Sequence, residues 1–263
     1  MMQGDMNTPG TFVRTMEDQF HDELGKNIWV YIDDIFVFSD TFEEHVKDVK
    51  NACRKLQNAG YYANRKKSVF FATKLDIQGH MIDDGIHPAP EKMRTIMVRT
   101  RPDSQKEQQR SNRMVNYISQ FIPHIATITA PLTELSGNAE WLWTDLQEAA
   151  FEAVKRAADK HKVLRPIDHN KPDMIWLFTD ASPTGTGAWI GQGPTRDAAK
   201  PAAFYSRKLT PSQSNYPTHQ QETLAIIEAM EAFAPYLLHR QFTVVIDHES
   251  LSKLMTQKNL NGR

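Results

Sequence analysis

One cysteine in 263 residues leaves no intrachain disulfide to hold this chain together. The fold must rest on packing, and a reducing compartment, cytosol or nucleus, is expected. No apolar run approaches the roughly 18 residues of a membrane span, and Met1-Met2-Gln3-Gly4-Asp5 lacks signal-peptide character. A membrane partner is therefore not expected. Net charge is scarce too, with 31 Lys and Arg against 32 Asp and Glu, which taken whole argues against a polyanionic partner. An apolar content of 40% at this length excludes disorder and allows two or three units with real cores.

The balanced total hides an uneven distribution. Residues 1 to 49 hold eleven Asp and Glu against three Lys and Arg, whereas Lys50 to Lys74 hold seven basic residues and no acid. Lys92 to Arg113 add seven more basic residues. An acidic segment beside a basic band is the layout of a site that holds cations and grips phosphates. For any single lysine, a solvated helix face explains the charge equally well.

The stretch from Asn27 to Ser39 carries the clearest chemistry. β-Branched and aromatic residues flank Asp33-Asp34 on both sides, which reads as strand, tight turn, strand. Two ionised groups unpaired between packed strands would each cost several kcal/mol, so both acids belong at an exposed hairpin tip. The acids alone leave a polar turn and a cation site equally open, although such turns favour Asn-Gly or Asp-Gly. Tyr31-Ile32-Asp33-Asp34 resembles the tyrosine-x-aspartate-aspartate box of reverse transcriptases, and Val30 to Ser39 resembles the version in gypsy-type LTR retrotransposons. That resemblance implies a palm hairpin in which Asp33 and Asp34 are catalytic and hold two Mg2+ ions. Such ions clamp the attacking and leaving oxygens of a phosphoryl transfer.

Gln3 to Phe12 is a turn-rich lead into a helix with Phe12, Met16 and Phe20 four apart. By the same resemblance this lead, Gln3 included, lies against template and incoming nucleotide. Thr41-Phe42-Glu43-Glu44 is a capping box, and Phe42, Val46, Val49, Cys53 and Leu56 trace an apolar stripe ending at Gly60. Cys53 is thus expected to be a buried helix residue. Tyr61 to Phe71 reads as a strand region carrying Arg65, Lys66 and Lys67. Gln78 to Ile82 with Asp84-Gly85-Ile86 resembles the family's primer-grip hairpin. The resemblance makes Arg65, Lys66, Lys67, Gly79 and His80 nucleic-acid contacts. By spacing, His80 has no second metal ligand and is expected to be packed or hydrogen-bonded.

His87-Pro88-Ala89-Pro90 marks a boundary. Helices follow at Glu91 to Val98 and about Asp103 to Phe121, then a connector framed by Pro123 and Pro131, then a helix with Phe151, Val154 and Ala158 on one face. Val115 to Pro123 and Ala130 to Thr133 are similar to the gypsy thumb and connection. Ser111-Asn112-Arg113 and Gln78 depart from that pattern, standing where relatives are apolar. In a packed site each polar group would cost roughly 1–3 kcal/mol; on an exposed face it would be tolerated.

A second carboxylate set follows. Met174 to Thr179 is an apolar strand ending in Asp180, and Ala181 to Gly187 turns the chain into further strands at Ala188 to Ile190 and Ala202 to Ser206. Thr218 reads as the N-cap of a helix, with Gln221 in the capping-box position and Glu222 one turn in; Phe242 to Ile246 is a strand ending in Asp247. A βββαβ arrangement could converge these acids, while each alone is also an ordinary solvated or dipole-favoured carboxylate. Phe178 to Ser182, Gln221 to Ala225 and Asp247 to Leu251 together resemble the retrotransposon ribonuclease H domain. The resemblance makes Asp180, Glu222 and Asp247 catalytic Mg2+ ligands for cutting the RNA of an RNA–DNA hybrid. It also makes Arg207 a backbone-phosphate contact.

The expected whole is an α+β chain. A partial reverse transcriptase palm occupies 1–86, a mainly helical thumb or connection 87–168, and a C-terminally truncated ribonuclease H-like mixed sheet with helices 169–263. Expected partners are RNA, DNA and the RNA–DNA hybrid. In the family the polymerase site takes a further aspartate and the fingers from upstream, and the nuclease a fourth acid from a later helix. Both sites are accordingly expected to need other segments of the polyprotein. The competing reading is a non-catalytic retroelement remnant that binds nucleic acid or a partner.

Overall fold

Phe12, Met16 and Phe20 give one apolar face to α1 (Thr8–Gln19) and the turn after it. The computed structural model describes residues 8–137, 140–168 and 171–246. They form two units, one up to Thr73 and one from Lys74. In the first unit, Met16, Phe20, Ile28 and Ala52 are buried together. They join α1 to a hairpin, β1 (Ile28–Tyr31) and β2 (Asp34–Val37), and to α2 (Phe42–Asn58). The pairing runs from Ile28↔Val37 to Tyr31↔Asp34, leaving Ile32 and Asp33 as a two-residue turn. Its positive φ, 51°, falls on Ile32, where a β-branched side chain is strained.

Thr41 caps α2, its hydroxyl accepting the Glu44 N–H at 3.2 Å. The α2 stripe holds at Val46, Val49 and Leu56, which are half-buried. Ala52 takes the buried place expected of Cys53, which is exposed, and Phe42, 66% exposed, lies 5.5 Å from the Phe71 ring. Tyr61 to Phe71 is not a strand. The Asn64 side chain accepts the Lys66 N–H at 3.0 Å, and its carbonyl accepts those of Lys67 and Ser68. A local turn thus takes the amides that a ladder would use.

The second unit opens with an antiparallel sheet of β3 (Leu75–Ile77), β4 (His80–Ile82) and β5 (Ile86–Pro88). Gln78 and Gly79, with φ of 52° and 81°, make its first turn, so the polar Gln78 stands exposed at no burial cost. Four helices follow: α3 (Pro90–Met97), α4 (Gln105–Ile118), α5 (Ile125–Glu134) and α6 (Asp145–Asp159). Ile118, Phe121, Leu132, Phe151, Val154 and Ala158 form their common core. Two of the polar departures in α4 are accommodated there. Asn112 accepts from the Gln108 amide at 2.7 Å and donates to Ser136 Oγ at 2.5 Å, while Arg113 is exposed.

The last sheet holds β6 (Met174–Ser182), β7 (Gly185–Gly193), β8 (Lys200–Lys208) and β9 (Phe242–Val245) in the order β8-β7-β6-β9. Only the β6–β9 pair is parallel. Ile175, Leu177, Ala188 and Ile190 pack against Ala229 and Phe233 at the C-terminal half of α7 (Thr218–Ala232), and against Leu237 in α8 (Ala234–Leu237). β6 does not end at Asp180 but runs two residues past it. Pro217 rather than Thr218 occupies the N-cap, its carbonyl accepting the Gln220 and Gln221 N–H groups. The Gln221 side chain donates instead to the Ser214 carbonyl at 3.1 Å. Among the described residues, no helix is long and apolar enough to cross a membrane. The expected α+β class, helices with mixed sheets, is what the chain adopts.

Candidate nucleic-acid and metal-binding sites

The hairpin delivers Asp33 on its turn and Asp34 as the first residue of β2, and both are exposed. Two adjacent carboxylates in water are a hard-oxygen donor set of the kind Mg2+ accepts. Arg65, Lys66 and Lys67 stand exposed on the Asn64 turn. Tyr62, 93% exposed, and the exposed Phe70 and Phe71 are their neighbours in sequence. Cations interleaved with aromatics suit a nucleic-acid backbone and its bases. Gln3 lies outside the described residues.

In the second unit, Gly79 and His80 are tied into the helical core. The Gly79 carbonyl accepts from the Tyr117 hydroxyl and, at 2.8 Å, from the Ala89 N–H. A Cβ on Gly79 would lie 2.8 Å from the Tyr117 oxygen, so glycine is needed there for space as well as for φ. Burial pushes the Tyr117 phenol up. His80 is packed and hydrogen-bonded as expected: its Nε2 is 3.0 Å from Gln120 Nε2, and its ring lies 5.0 Å from Tyr117 and 5.7 Å from Phe121.

Sequence reading overlooked Asp83, Asp84 and His87, whose ligand atoms lie within 4.8 Å of one another and could hold a metal ion. The available signal was a histidine four residues after Asp83, across the Gly85 turn. The group is already paired internally and outward, with His87 Nε2 3.0 Å from Asp83 and Arg165 donating to Asp84 at 2.7 Å.

The four-stranded sheet separates the remaining candidates by strand alternation. Leu177 and Thr179 are buried on the face that carries α7. Phe178 and Asp180 therefore belong to the other face, where Phe178 stacks on Trp189 at 3.9 Å and 5°. Asp180, exposed, lines a cleft there with Phe178, Trp189, Phe204, Pro123, His124 and Arg196. Glu222, 6% exposed, sits in the second turn of α7. The parallel register of β6 and β9 ends at Phe178↔Val245. Asp180 and Asp247 each follow two residues later in sequence, and Asp247 lies outside the described residues.

Arg207 points to the α7 face, away from Asp180, and donates to Glu228 at 2.9 Å while remaining 53% exposed. Glu228 also accepts from the Thr186 hydroxyl at 2.8 Å. Burial first, and then the Glu228 charge, push the nearby Tyr205 phenol up. Sequence reading singled out neither Glu228 nor His124, since both owe their settings to tertiary packing.

Family comparison matches residues 1–82 to the reverse transcriptase (RNA-dependent DNA polymerase) and residues 168–263 to the RNase H-like domain found in reverse transcriptase. Both segments of the reverse transcriptase class, the polymerase and the RNase H-like domain, are thus matched within one chain. A solved foamy viral protease-reverse transcriptase in complex with dsDNA has a TM-score of 0.86 and 24% identity, over 98% of this chain and 53% of that one. The same protein in complex with RNA/DNA hybrid gives 0.81 and 24%, over 99% and 36%. These likenesses carry the fold. Within the class, the chain is a relative of gypsy-type LTR retrotransposon polyproteins. The transposon Tf2-3 and Tf2-7 polyproteins of Schizosaccharomyces pombe are each 33% identical to it over 233 residues, 87% of this chain. The chain spans 17% of the length of these curated relatives.

Proposed function

We propose that this chain is the portion of a retrotransposon Pol protein that supplies part of an RNA-directed DNA polymerase site and most of a ribonuclease H site. Three regions divide the work: a partial palm over 1–86, a thumb or connection over 87–168, and a ribonuclease H-like domain over 169–263. The observation that carries this reading is Asp180, an exposed carboxylate on the inner strand β6 of a β8-β7-β6-β9 sheet, lining a cleft with the half-buried Phe178, Trp189 and Phe204. Asp33 and Asp34 would hold Mg2+ in the polymerase half; Asp180, Glu222 and Asp247 are proposed to hold it in the nuclease half, although Glu222 is carried by α7 on the sheet face opposite Asp180. Oxygen-only donor sets fit that ion. Bound there, Mg2+ supplies Lewis-acid stabilisation of phosphate oxygens and a more acidic water.

The chain's own side chains position the nucleic acid. Arg65, Lys66 and Lys67 neutralise backbone phosphate, and Gln3, Gly79, His80 and Arg207 add contacts to RNA, DNA or their hybrid. The two complexes of the foamy viral protein support nucleic acid as the partner class. Further segments of the polyprotein complete both sites. A decayed, non-catalytic copy is the competing reading: Gln78 and Arg113 are exposed and Asn112 is hydrogen-bonded, while Ser111 is buried.

The test is cleavage of a labelled RNA–DNA hybrid with Mg2+ by the purified chain and by Asp180→Asn. Cleavage lost in the variant supports a working nuclease. A folded chain that never cleaves would confine this segment to binding until its neighbours are added.

A further inference from the structure

Ser206, Gly187 and Asp180 are successive cross-strand partners on β8, β7 and β6, so they form one row on the sheet face opposite α7. The start of α5 is fixed to this row, the Ala126 N–H donating to Ser206 Oγ at 2.9 Å. His124, just before α5, then lies over the middle of the row. A Cβ built on Gly187 would be 2.8 Å from His124 Nδ1 and 2.9 Å from Cε1. The imidazole therefore occupies the space that any side chain opposite Asp180 would fill, about one strand spacing of ~4.8 Å from it. His124 is exposed at φ 53°, and its ring nitrogens have no hydrogen-bond partner among the described residues.

Resting on the nuclease reading above, we propose that His124 is a substrate contact of the Asp180 site. Its imidazole N–H donates to a backbone phosphate of the hybrid lying in the cleft. A phosphodiester beside a carboxylate is repelled unless donors face it. Among the described residues His124 and Arg196 are the cleft's basic side chains, and Arg196 pairs there only with the adjacent Asp197, at 3.3 Å. The contact would come from the helical segment rather than the sheet. The substrate is thereby read by both parts of the second unit, and Gly187 is kept as glycine to make room for the ring.

Fluorescence anisotropy of a labelled RNA–DNA hybrid, with Ca2+ in place of Mg2+, tests this without requiring turnover. The full chain is compared with His124→Ala, Gly187→Ala and, as a matched control, His239→Ala, another exposed histidine with positive φ, 60°. Binding about five- to tenfold weaker for the first two, and unchanged for the control, is expected. A hybrid carrying one methylphosphonate at the contacted position should bind His124→Ala and wild type alike, which a merely structural role would not produce. Wild-type affinity in a folded His124→Ala chain overturns the inference alone. A wild-type chain with no affinity for the hybrid overturns the nuclease reading and this inference together.

Discussion

The two carboxylate settings rest on very different supports. Asp33 and Asp34 ride on a two-residue turn of a two-stranded hairpin whose small core leaves Trp29, Tyr31 and Phe38 exposed. Asp180 lies in a nine-residue strand paired with β7 along its whole length and with β9 up to Phe178. Two-stranded sheets are marginal in water, whereas a central strand inherits the stability of its whole sheet. The same kind of ligand is thus offered by a soft mount in one unit and a stiff one in the other. The soft mount carries backbone strain at Ile32, which only additional packing would hold in place.

The largest contrast should come from chemistry. On the proposed nuclease reading, Asp180→Asn is expected to lower hybrid cleavage at least about 100-fold with no loss of thermal stability, since an exposed carboxylate contributes little to packing. Stability should respond next. Leu177→Ala, at a fully buried position, is expected to cost about 2–5 kcal/mol in a urea melt, and the half-buried Ile35→Ala in the hairpin about half of that. Equal costs would erase the distinction between the two mounts. Glu228→Ala strands the buried Thr186 hydroxyl and the Arg207 guanidinium, and about 1–3 kcal/mol should be lost from the second unit only.

The basic limb of the pH response should distinguish the two units. Glu23 is held below the usual glutamate range, chiefly by the Lys55 hydrogen bond at 2.7 Å. A lowered folded pKa stabilises above the unfolded value, so that contribution fades as pH falls through the acidic range. Tyr117 and Tyr205 are raised by burial. Their contribution is intact below the ordinary phenol pKa and is lost as pH rises through the higher folded values. Urea midpoints of the first unit should therefore weaken in acid and those of the second in base. The second weakens in acid as well, because Asp83, despite partial desolvation, is held below the usual range by hydrogen bonds with Asp84, His87 and Gly85. Glu23→Gln or Tyr205→Phe should each flatten one limb. The smallest effect is local: Ile32→Gly should stabilise the hairpin by up to about 1 kcal/mol, seen as slower amide exchange in β1 and β2.

Much of this was legible in the sequence where local pattern decides. The hairpin around Asp33-Asp34, the α6 face of Phe151, Val154 and Ala158, and the order of the strands around Asp180 all follow from periodicity and from turn residues. The errors fall where packing overrides pattern. Phe42 left the expected stripe for Phe71, and Ala52 was buried in place of Cys53; Asn64 folded a turn into a stretch rich in strand formers; Pro217 took over the cap of α7. His124 could not be singled out, because its setting depends on Gly187, more than sixty residues away and lacking a side chain by which to announce the contact.

The parallel pairing of β6 with β9 also sets a timetable. Ile175 finds its partner only at Phe242, 67 residues later, whereas the β6–β7 hairpin closes almost at once. At synthesis rates of roughly 5–20 residues per second, the outer side of β6 waits unpaired for about 3 to 13 seconds as the chain emerges. During that interval the strand that carries Asp180 is an open edge, and what shields it from other nascent chains is time, not structure.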